Sequence, residues 1–255
     1  MNGALPVLLS RIGRFDDILL ADAREHIDMT DALCFDLFGT LCDVSTVREV
    51  FSEIVDARTD RSAEDAADVY DCWQDTYSAY TRHTAAMGTS VTHREIMERS
   101  LTYALELHGL DLERDDRRTL VDARSDIETY PGARDALATL QEEGFELAVL
   151  SNGDPDLLRE IADNTGIDRH LDRVISAGDS GVFKPAPESY RHAADVLDRP
   201  IGTCWLVSAH SWDARGAAQA GMLGAWINRD DRPDDLVGRR PALRVDSLEE
   251  LPRRL

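Results

Sequence analysis

Short apolar runs alternate with helical patterns along much of the chain. The first run, Ala32 to Phe35, ends at Asp36 and Gly39, which is typical of a buried parallel strand followed by a loop. Later runs predict strands at 146–150, 173–176, 204–207 and 224–227, and the segments between them predict helices at 133–143, 155–165, 187–197 and 212–220. This alternation predicts an α/β fold with a doubly wound parallel sheet.

One long segment departs from the alternation. From Thr46 to about Glu128 the apolar residues recur at helical spacing, and no comparable strand candidate interrupts them. We therefore predict a Rossmann-like core formed by residues 1–45 and 129–255, with a helical cap, residues 46–128, inserted after the first strand. Within the core, Leu8 to Ala23 predict an amphipathic lead-in helix.

Polar residues follow several of the predicted strands. In a sheet of this kind, ligands bind beyond the carboxyl ends of the strands. The polar residues at these ends are Asp36, Thr40, Ser151, Asn152, Lys184, Ser208, His210 and Asp213. We expect them to converge on one crevice.

Lys184 is the only lysine among 28 basic residues. In a chain that otherwise uses arginine, the remaining lysine is expected to do something that a planar guanidinium cannot. A compact ammonium on a flexible stem can pair with a buried carboxylate at a single point.

The charge balance limits the classes of partner. With 49 acidic residues the formal net charge is −21, so DNA, RNA and anionic lipid surfaces should be repelled. The acidic residues are spread along a chain that is 43% hydrophobic, which argues against a disordered acidic tail. An acidic, lysine-poor composition is typical of proteins from salt-adapted organisms. We predict no nucleic-acid partner and no membrane partner.

The cysteine pattern and the lack of targeting signals predict a reduced, cytoplasmic protein. The four cysteines form no CxxC pair and have no metal-ligand spacing with the histidines, which favours buried thiols and no resident metal or cofactor. No stretch approaches the ~20 apolar residues of a membrane span, and the first residues lack the charged region of a signal peptide.

Four motifs, in order, resemble those of the haloacid dehalogenase-like (HAD) superfamily. They are Phe35 to Leu41, Leu150 to Gly153, Phe183 to Pro185, and Ser208 to Asp213. The Asp-Leu-Phe-Gly-Thr-Leu segment is similar to the Asp-x-Tyr-Gly-Thr-Leu of the (S)-2-haloacid dehalogenase branch, as are residues 212–217 and 225–229. The resemblance covers roughly residues 31–229, and the superfamily places its helical cap where this chain has its insertion.

The resemblance implies a role for each matching residue. Asp36 would be a carboxylate nucleophile held charged by Lys184, and Thr40 and Ser151 would donate hydrogen bonds to it or to a substrate carboxylate. Asn152 would complete an anion cradle with backbone N–H groups. The implied catalytic set is Asp36, Thr40, Lys184, Ser208, His210 and Asp213, and the implied substrate-binding set is Leu37, Phe38, Gln74, Ser151, Asn152, Tyr190 and Trp212.

The residues around the nucleophile favour dehalogenation over phosphate-ester cleavage. HAD phosphatases carry a second aspartate, a general acid, two residues after the nucleophile, but Phe38 stands at that position here. They also bind Mg²⁺ with an added acidic residue in the fourth motif, whereas the fourth motif of this chain begins with Ser208. A halide leaves without a proton, so an apolar residue at this position costs dehalogenation nothing. We predict hydrolysis of short 2-haloalkanoic acids to 2-hydroxy acids and halide, through an aspartyl ester.

Two alternatives to this prediction stay open. One is a Mg²⁺-dependent phosphatase of a small metabolite, the only case in which a metal cofactor is expected. The other is a catalytically weak binding protein on the same fold. The resemblance also implies a homodimer, which is common in the dehalogenase branch.

The chain departs from the dehalogenase pattern at two positions. The pattern's cap arginine, which receives the departing halide and steadies the substrate carboxylate, falls at Gln74; an amide donates hydrogen bonds but supplies no charge, so slower turnover or another leaving group must be allowed. His210 stands where the pattern has asparagine and could activate the hydrolytic water, oriented by Asp213 or Asp43. The alternative activator is the Lys184 and Asp213 network. The expected apolar walls are Phe38, Trp73 and Trp212.

Overall fold

A computed structural model describes residues 31–234 and 237–255, so the predicted lead-in helix at Leu8 to Ala23 lies outside the described residues. Six parallel strands form the main sheet of this described part in the order β5-β4-β1-β6-β7-β8. These strands are β1 (Ala32–Phe35), β4 (Glu146–Ser151), β5 (Arg173–Ser176), β6 (Cys204–Ser208), β7 (Leu223–Ile227) and β8 (Leu243–Val245). The predicted doubly wound α/β class is confirmed.

Helices cover both faces of the sheet, which explains why its strands are continuously apolar. In β1, Leu33 and Phe35 pack into the larger hydrophobic cluster, whereas Ala32 and Cys34 pack into a second cluster on the opposite face. The flanking helices are α5 (Ala133–Glu142), α6 (Pro155–Thr165), α7 (Pro187–Val196) and α8 (Ser211–Ala220). Each lies within one or two residues of its predicted bounds at either end.

Four helices fill the stretch between residues 45 and 122, which is described throughout. They are α1 (Ser45–Arg58), α2 (Ala63–Met87), α3 (His93–Leu107) and α4 (Arg114–Asp122), and a 3₁₀ turn, Ala123–Ser125, follows α4. The larger hydrophobic cluster continues from the sheet into these helices. The exact division into core and cap stays a prediction.

Two short antiparallel strands were missed by the sequence reasoning. β2 (Cys42–Asp43) pairs with β3 (Glu128–Thr129) where the chain leaves the sheet for the helices and where it returns. The edge strand β8 was missed as well. Runs of two or three residues are too short to show the alternation on which strand prediction depends.

Capping boxes fix where two of these helices, α2 and α3, begin. Ser62 and Asp65 form a capping box at the start of α2, and Thr92 and Glu95 form another at the start of α3. The carboxylate of Asp154, which precedes α6, accepts hydrogen bonds from the first two backbone N–H groups of α3, at 2.8 and 2.9 Å. This contact ties the start of α3 to the loop after β4.

The strand order places a crevice at the carboxyl end of β1. The chain moves outward from β1 to β4 and β5 in one direction and to β6, β7 and β8 in the other, so loops diverge between β1 and β6. Asp36 follows β1 and Ala209 follows β6, on the two sides of this point.

Two further sequence predictions can be compared with the structure. The four cysteines are free, as predicted, and Cys34, Cys42 and Cys204 are buried, whereas Cys72 is only half-buried. In residues 31–234 and 237–255, no helix combines the length and apolar character needed to cross a membrane.

Candidate active site

Asp36 lies directly after β1 with its carboxylate held at both oxygens. Thr40 donates its hydroxyl to Oδ2 at 2.9 Å, and Lys184 Nζ donates to Oδ1 at 2.9 Å. The Thr40 hydroxyl itself accepts the backbone N–H of Ala209 at 2.9 Å, so the loops after β1 and β6 are joined beneath the carboxylate. The side chain of Asp36 is buried but lines a cavity, which is the placement that a carboxylate nucleophile needs.

Lys184 uses all three of its donors. Besides Asp36, its ammonium contacts Asp213 Oδ2 at 2.7 Å and the carbonyl oxygen of Leu150 at 2.9 Å, and its side chain is 1% exposed. Burial alone would lower the pKa of Lys184, but the carboxylates of Asp213 and Asp36 outweigh burial and raise the pKa above its ordinary value. The ammonium therefore stays charged across the neutral range and fixes the nucleophile.

Asp213 is fully buried, and its other oxygen is held by Tyr190. The Tyr190 hydroxyl donates to Asp213 Oδ1 at 2.7 Å. Burial raises the pKa of Asp213 above its ordinary value, and the attraction of the Lys184 ammonium offsets only part of this rise. Tyr190 does not line the cavity, so the predicted substrate contact is corrected: its hydroxyl is already committed to Asp213 behind the lysine.

At the end of β4, the side chains of Ser151 and Asn152 make different contacts. Asn152 accepts the Lys184 backbone N–H at 2.8 Å and donates to the Lys184 carbonyl at 3.3 Å. Asn152 also borders the cavity, and because one hydrogen of its side-chain N–H₂ group is not used in these contacts, its part in an anion cradle stays a prediction. The hydroxyl of Ser151, by contrast, is buried at the cavity without a hydrogen-bond partner and fits the predicted donor.

His210 lies at the cavity mouth, above the turn that follows Asp36. Its Nε2 is 3.1 Å from the carbonyl oxygen of Phe38 and 3.7 Å from Asp36 Oδ2, and its ring stacks on Trp212. A carbonyl oxygen only accepts, so Nε2 carries a proton in this arrangement. Gly39 makes room for the ring: it has a φ of +76°, and a Cβ there would lie 3.2 Å from Nε2.

Leu37, Ser208 and Trp73 do not line the cavity. The Leu37 side chain is fully buried in the hydrophobic core, so the predicted substrate contact of Leu37 stays a prediction that its backbone would have to fulfil. Ser208 is buried and accepts the backbone N–H of His210 at 3.1 Å, a supporting contact rather than a catalytic one. Trp73, expected as a wall, packs inside the cap and donates to the Met97 carbonyl.

The cavity itself has a volume of about 240 Å³, which suits a small organic acid. Its apolar walls include Phe38, Val44, Tyr77 and Trp212. Its polar lining includes Asp36, Gln74, Ser78, Thr81, Arg82, Arg124, Ser151, Asn152, Lys184 and His210. A larger cleft, about 920 Å³, separates α3 and α4 from α6, but none of the predicted site residues lines it.

Sequence reasoning missed two arginines at the site. Arg124, in the 3₁₀ turn after α4, is 4% exposed and donates through Nη2 to Gln74 Oε1 at 2.9 Å. Arg229, after β7, donates to the carbonyl oxygens of Gly39 and Thr40 and so braces the nucleophile loop. Arg229 ends a matched segment and could have been singled out, whereas no motif marks Arg124.

The sequence has relatives of known activity. A family profile described as haloacid dehalogenase-like hydrolase matches residues 30–221. The (S)-2-haloacid dehalogenase 1 of Pseudomonas sp. (strain CBS-3) is 32% identical over 231 residues, which cover 90% of this chain and 98% of that relative. The haloacetate dehalogenase H-2 of Moraxella sp. (strain B) is 27% identical over 221 residues, covering 87% and 96%.

Solved structures resemble the whole described fold. An L-2-haloacid dehalogenase matches with a TM-score of 0.80 and 27% identity, covering 88% of this chain and 97% of that one. The L-2-haloacid dehalogenase of Xanthobacter autotrophicus with chloropropionic acid covalently bound matches with a TM-score of 0.75 and 26% identity, over the same shares. With the carboxylate, lysine and cavity placed as described, the chain belongs to the haloacid dehalogenase-like hydrolase family, in its (S)-2-haloacid dehalogenase branch.

Proposed function

We propose that this protein hydrolyses short (S)-2-haloalkanoic acids to 2-hydroxy acids and halide through an ester on Asp36. The observation that carries the proposal is the Asp36 carboxylate, held by Thr40 and Lys184 and facing a small cavity walled by aromatic rings. The relatives named above are haloacid dehalogenases, and the Xanthobacter enzyme was solved with chloropropionic acid covalently bound.

In the first step, an Asp36 carboxylate oxygen attacks C2 of the substrate. The new C–O bond forms as the C–halogen bond breaks, the halide leaves with the bonding pair, and C2 inverts. Phe38, where a phosphatase would have its acid, lines the cavity beside Asp36, and no proton donor is needed for a halide. The aromatic walls keep bulk water away from the carboxylate, which leaves it more reactive.

In the second step, water attacks the carboxyl carbon of the Asp36 ester. Negative charge develops on the ester carbonyl oxygen, where Lys184 or Thr40 already donates a hydrogen bond. One water proton ends on the product hydroxyl, and the other leaves through the cavity mouth beside His210. The hypothesis that His210 accepts this proton requires Nε2 to give up its donor bond to the Phe38 carbonyl.

One assay at high salt separates the three candidate functions. Halide release from L-2-chloropropionate and phosphate release from p-nitrophenyl phosphate are measured, each with and without Mg²⁺. We expect halide release that does not depend on Mg²⁺ and that Asp36→Asn abolishes. Phosphate release that requires Mg²⁺ would establish the phosphatase, and no release of either would leave a binding protein.

A single turnover in ¹⁸O water tests the covalent step. Because water attacks the Asp36 carboxyl carbon, one labelled oxygen should appear in the peptide that contains Asp36, and mass spectrometry would detect it. Label found only in the hydroxy acid would rule out the ester and indicate direct attack of water on C2.

The residues of the site do not fit the Mg²⁺ that the phosphatase alternative requires. Mg²⁺ prefers several carboxylate oxygens, yet position 38 is phenylalanine, Ser208 is buried in a backbone contact, and both Asp213 oxygens are occupied. Among the described residues, no group of three or more His, Cys, Asp or Glu side chains could hold a metal ion.

We propose that the protein is a homodimer, because dimers are common in the branch that the sequence resembles. We also propose a cytoplasmic location, because its described cysteines are free, as in a reducing compartment. Sedimentation equilibrium at high salt would detect the dimer.

A further inference from the structure

We propose that Arg124, held in place by Gln74, is the halide receptor of this cavity. The inference rests on the proposed dehalogenase function and adds a residue to it: the cation that takes up the departing halide comes from the 3₁₀ turn after α4.

Arg124 is a buried cation without a carboxylate partner. Within residues 31–234 and 237–255, no Asp or Glu oxygen lies within 4.0 Å of its guanidinium, although its residue is only 4% exposed. Its neighbours are the rings of Tyr77 and Phe38, at 4.8 and 5.2 Å from the guanidinium carbon, and the neutral amide of Gln74. Aromatic faces offset part of the cost of burying the charge. The remaining cost indicates that an anion binds beside it.

The donors needed for an anion are present and unused. Arg124 Nε and Gln74 Nε2 are both buried without a hydrogen-bond partner. A buried donor without a partner lowers the stability of the fold, and a charged donor lowers it more, so two such donors on contacting side chains point to a ligand. Because Gln74 Oε1 accepts from Arg124, its own N–H₂ group is free to donate to the same anion.

The position of Arg124 suits the departing halide rather than the substrate carboxylate. A leaving group departs on the side of C2 opposite the attacking oxygen. Asp36 belongs to the sheet side of the cavity, whereas Arg124 and Gln74 belong to the helical side and line the same cavity. The apolar surroundings that Phe38 and Tyr77 give the guanidinium suit a spherical, weakly hydrated anion, while Ser151, in the same cavity as Asp36, offers the hydroxyl that a carboxylate would use.

The site therefore contains a positive charge on its helical side even though residue 74 is a neutral glutamine. The dehalogenase pattern supplies a guanidinium from position 74 itself, and here Gln74 instead orients a guanidinium that lies 50 residues further along the chain. The charge reaches the cavity from a different element, and the glutamine becomes its support.

Bromide binding to the purified protein tests the proposal without turnover. Isothermal titration in chloride-free potassium glutamate would compare the wild type, Arg124→Gln and the control Arg118→Gln, which removes an exposed arginine of α4 outside the cavity. We expect Arg124→Gln to weaken bromide binding about 10- to 100-fold, the usual effect of losing a charge-assisted hydrogen bond. The Arg118→Gln control should bind bromide as the wild type does.

A swap of the two side chains separates an anion-binding role from a structural one. The double variant Arg124→Gln with Gln74→Arg returns a guanidinium to the cavity from the other element. We expect it to recover at least part of the bromide affinity and halide-release rate lost in Arg124→Gln. Thermal unfolding of each variant shows whether it is folded. If Arg124→Gln does not fold, the bromide affinity of the folded double variant still tests the proposal.

The outcomes distinguish this inference from the proposed function. Bromide binding unchanged in Arg124→Gln overturns it, even if the wild type dehalogenates. Propionate, titrated in the same way, is a probe for the substrate carboxylate. If Arg124→Gln binds propionate more weakly but binds bromide as the wild type does, the proposal is also overturned, because Arg124 would then serve the carboxylate. Arg124-dependent bromide binding without any halide release supports the anion site and rejects the dehalogenase.

Discussion

The two sides of the cavity differ in how completely their polar groups are satisfied. On the sheet side, Lys184 contacts three acceptors, and Tyr190 holds the remaining oxygen of Asp213. On the helical side, Arg124 and Gln74 contact each other but leave one donor each without a partner. A saturated network holds a charged nucleophile in one geometry, whereas unused donors provide a place for a ligand.

The largest effect is expected from Lys184→Arg, which attacks the saturated side. A planar guanidinium cannot place one nitrogen among three acceptors that now surround a single ammonium at 2.7–2.9 Å. Halide release should fall about 10²- to 10³-fold, comparable to the loss of an oxyanion donor. Arg199→Lys, at a partly exposed ion pair with Glu146, is the matched control and should keep its activity. Full activity of a folded Lys184→Arg would refute the role of Lys184.

The second prediction concerns stability on the helical side. His93 is buried beside Phe38 and Tyr77, and burial, with the charges of Arg124 and Arg94, lowers its pKa from 6.5 to about 3. Between these values the unfolded chain binds the extra proton, so the stability that His93 provides is present above pH 6.5 and is lost as pH falls toward 3.

Urea unfolding at pH 7 and pH 5 measures this loss. The free energy of unfolding of the wild type should drop about 2 kcal/mol more than that of His93→Phe, at about 1.4 kcal/mol per pH unit for one proton. His93→Phe retains an aromatic ring but does not titrate. Equal drops in the two proteins would mean that the imidazole takes up its proton in the folded state.

A third prediction separates support from substrate contact on the sheet side. Tyr190→Phe removes the hydroxyl that donates to Asp213 and leaves the cavity lining unchanged. We expect kcat to fall about tenfold, since one hydrogen bond to a charged group is lost, while KM stays constant. A higher KM with unchanged kcat would restore the substrate contact first inferred for Tyr190.

The smallest effect is expected from His210→Asn at the cavity mouth. The asparagine amide can donate to the Phe38 carbonyl as Nε2 does now, so kcat should fall less than about tenfold. Rapid quenching followed by mass spectrometry of Asp36 is the decisive measurement. Accumulation of the ester in the variant would instead establish His210 as the base of the second step.

Sequence reasoning was most successful for the sheet side because that side is encoded locally. Asp36, Ser151 and Lys184 each follow a recognisable strand or belong to a short motif, and parallel strands bring their carboxyl ends to one edge. Their side-chain contacts could not be predicted in the same way. Tyr190 was assigned to the substrate, but its hydroxyl donates to Asp213, and the amide of Asn152 accepts the backbone N–H of Lys184.

By itself, the sequence determined the doubly wound sheet and the Asp36 and Lys184 pair, because periodicity and motif order are local properties. Only the tertiary structure decided what occupies the helical side of the cavity. Arg124 and Gln74 are 50 residues apart in the sequence, and their contact depends on how the helices pack rather than on any spacing along the chain. A charge that appeared to be lost at position 74 is supplied by the fold from another segment.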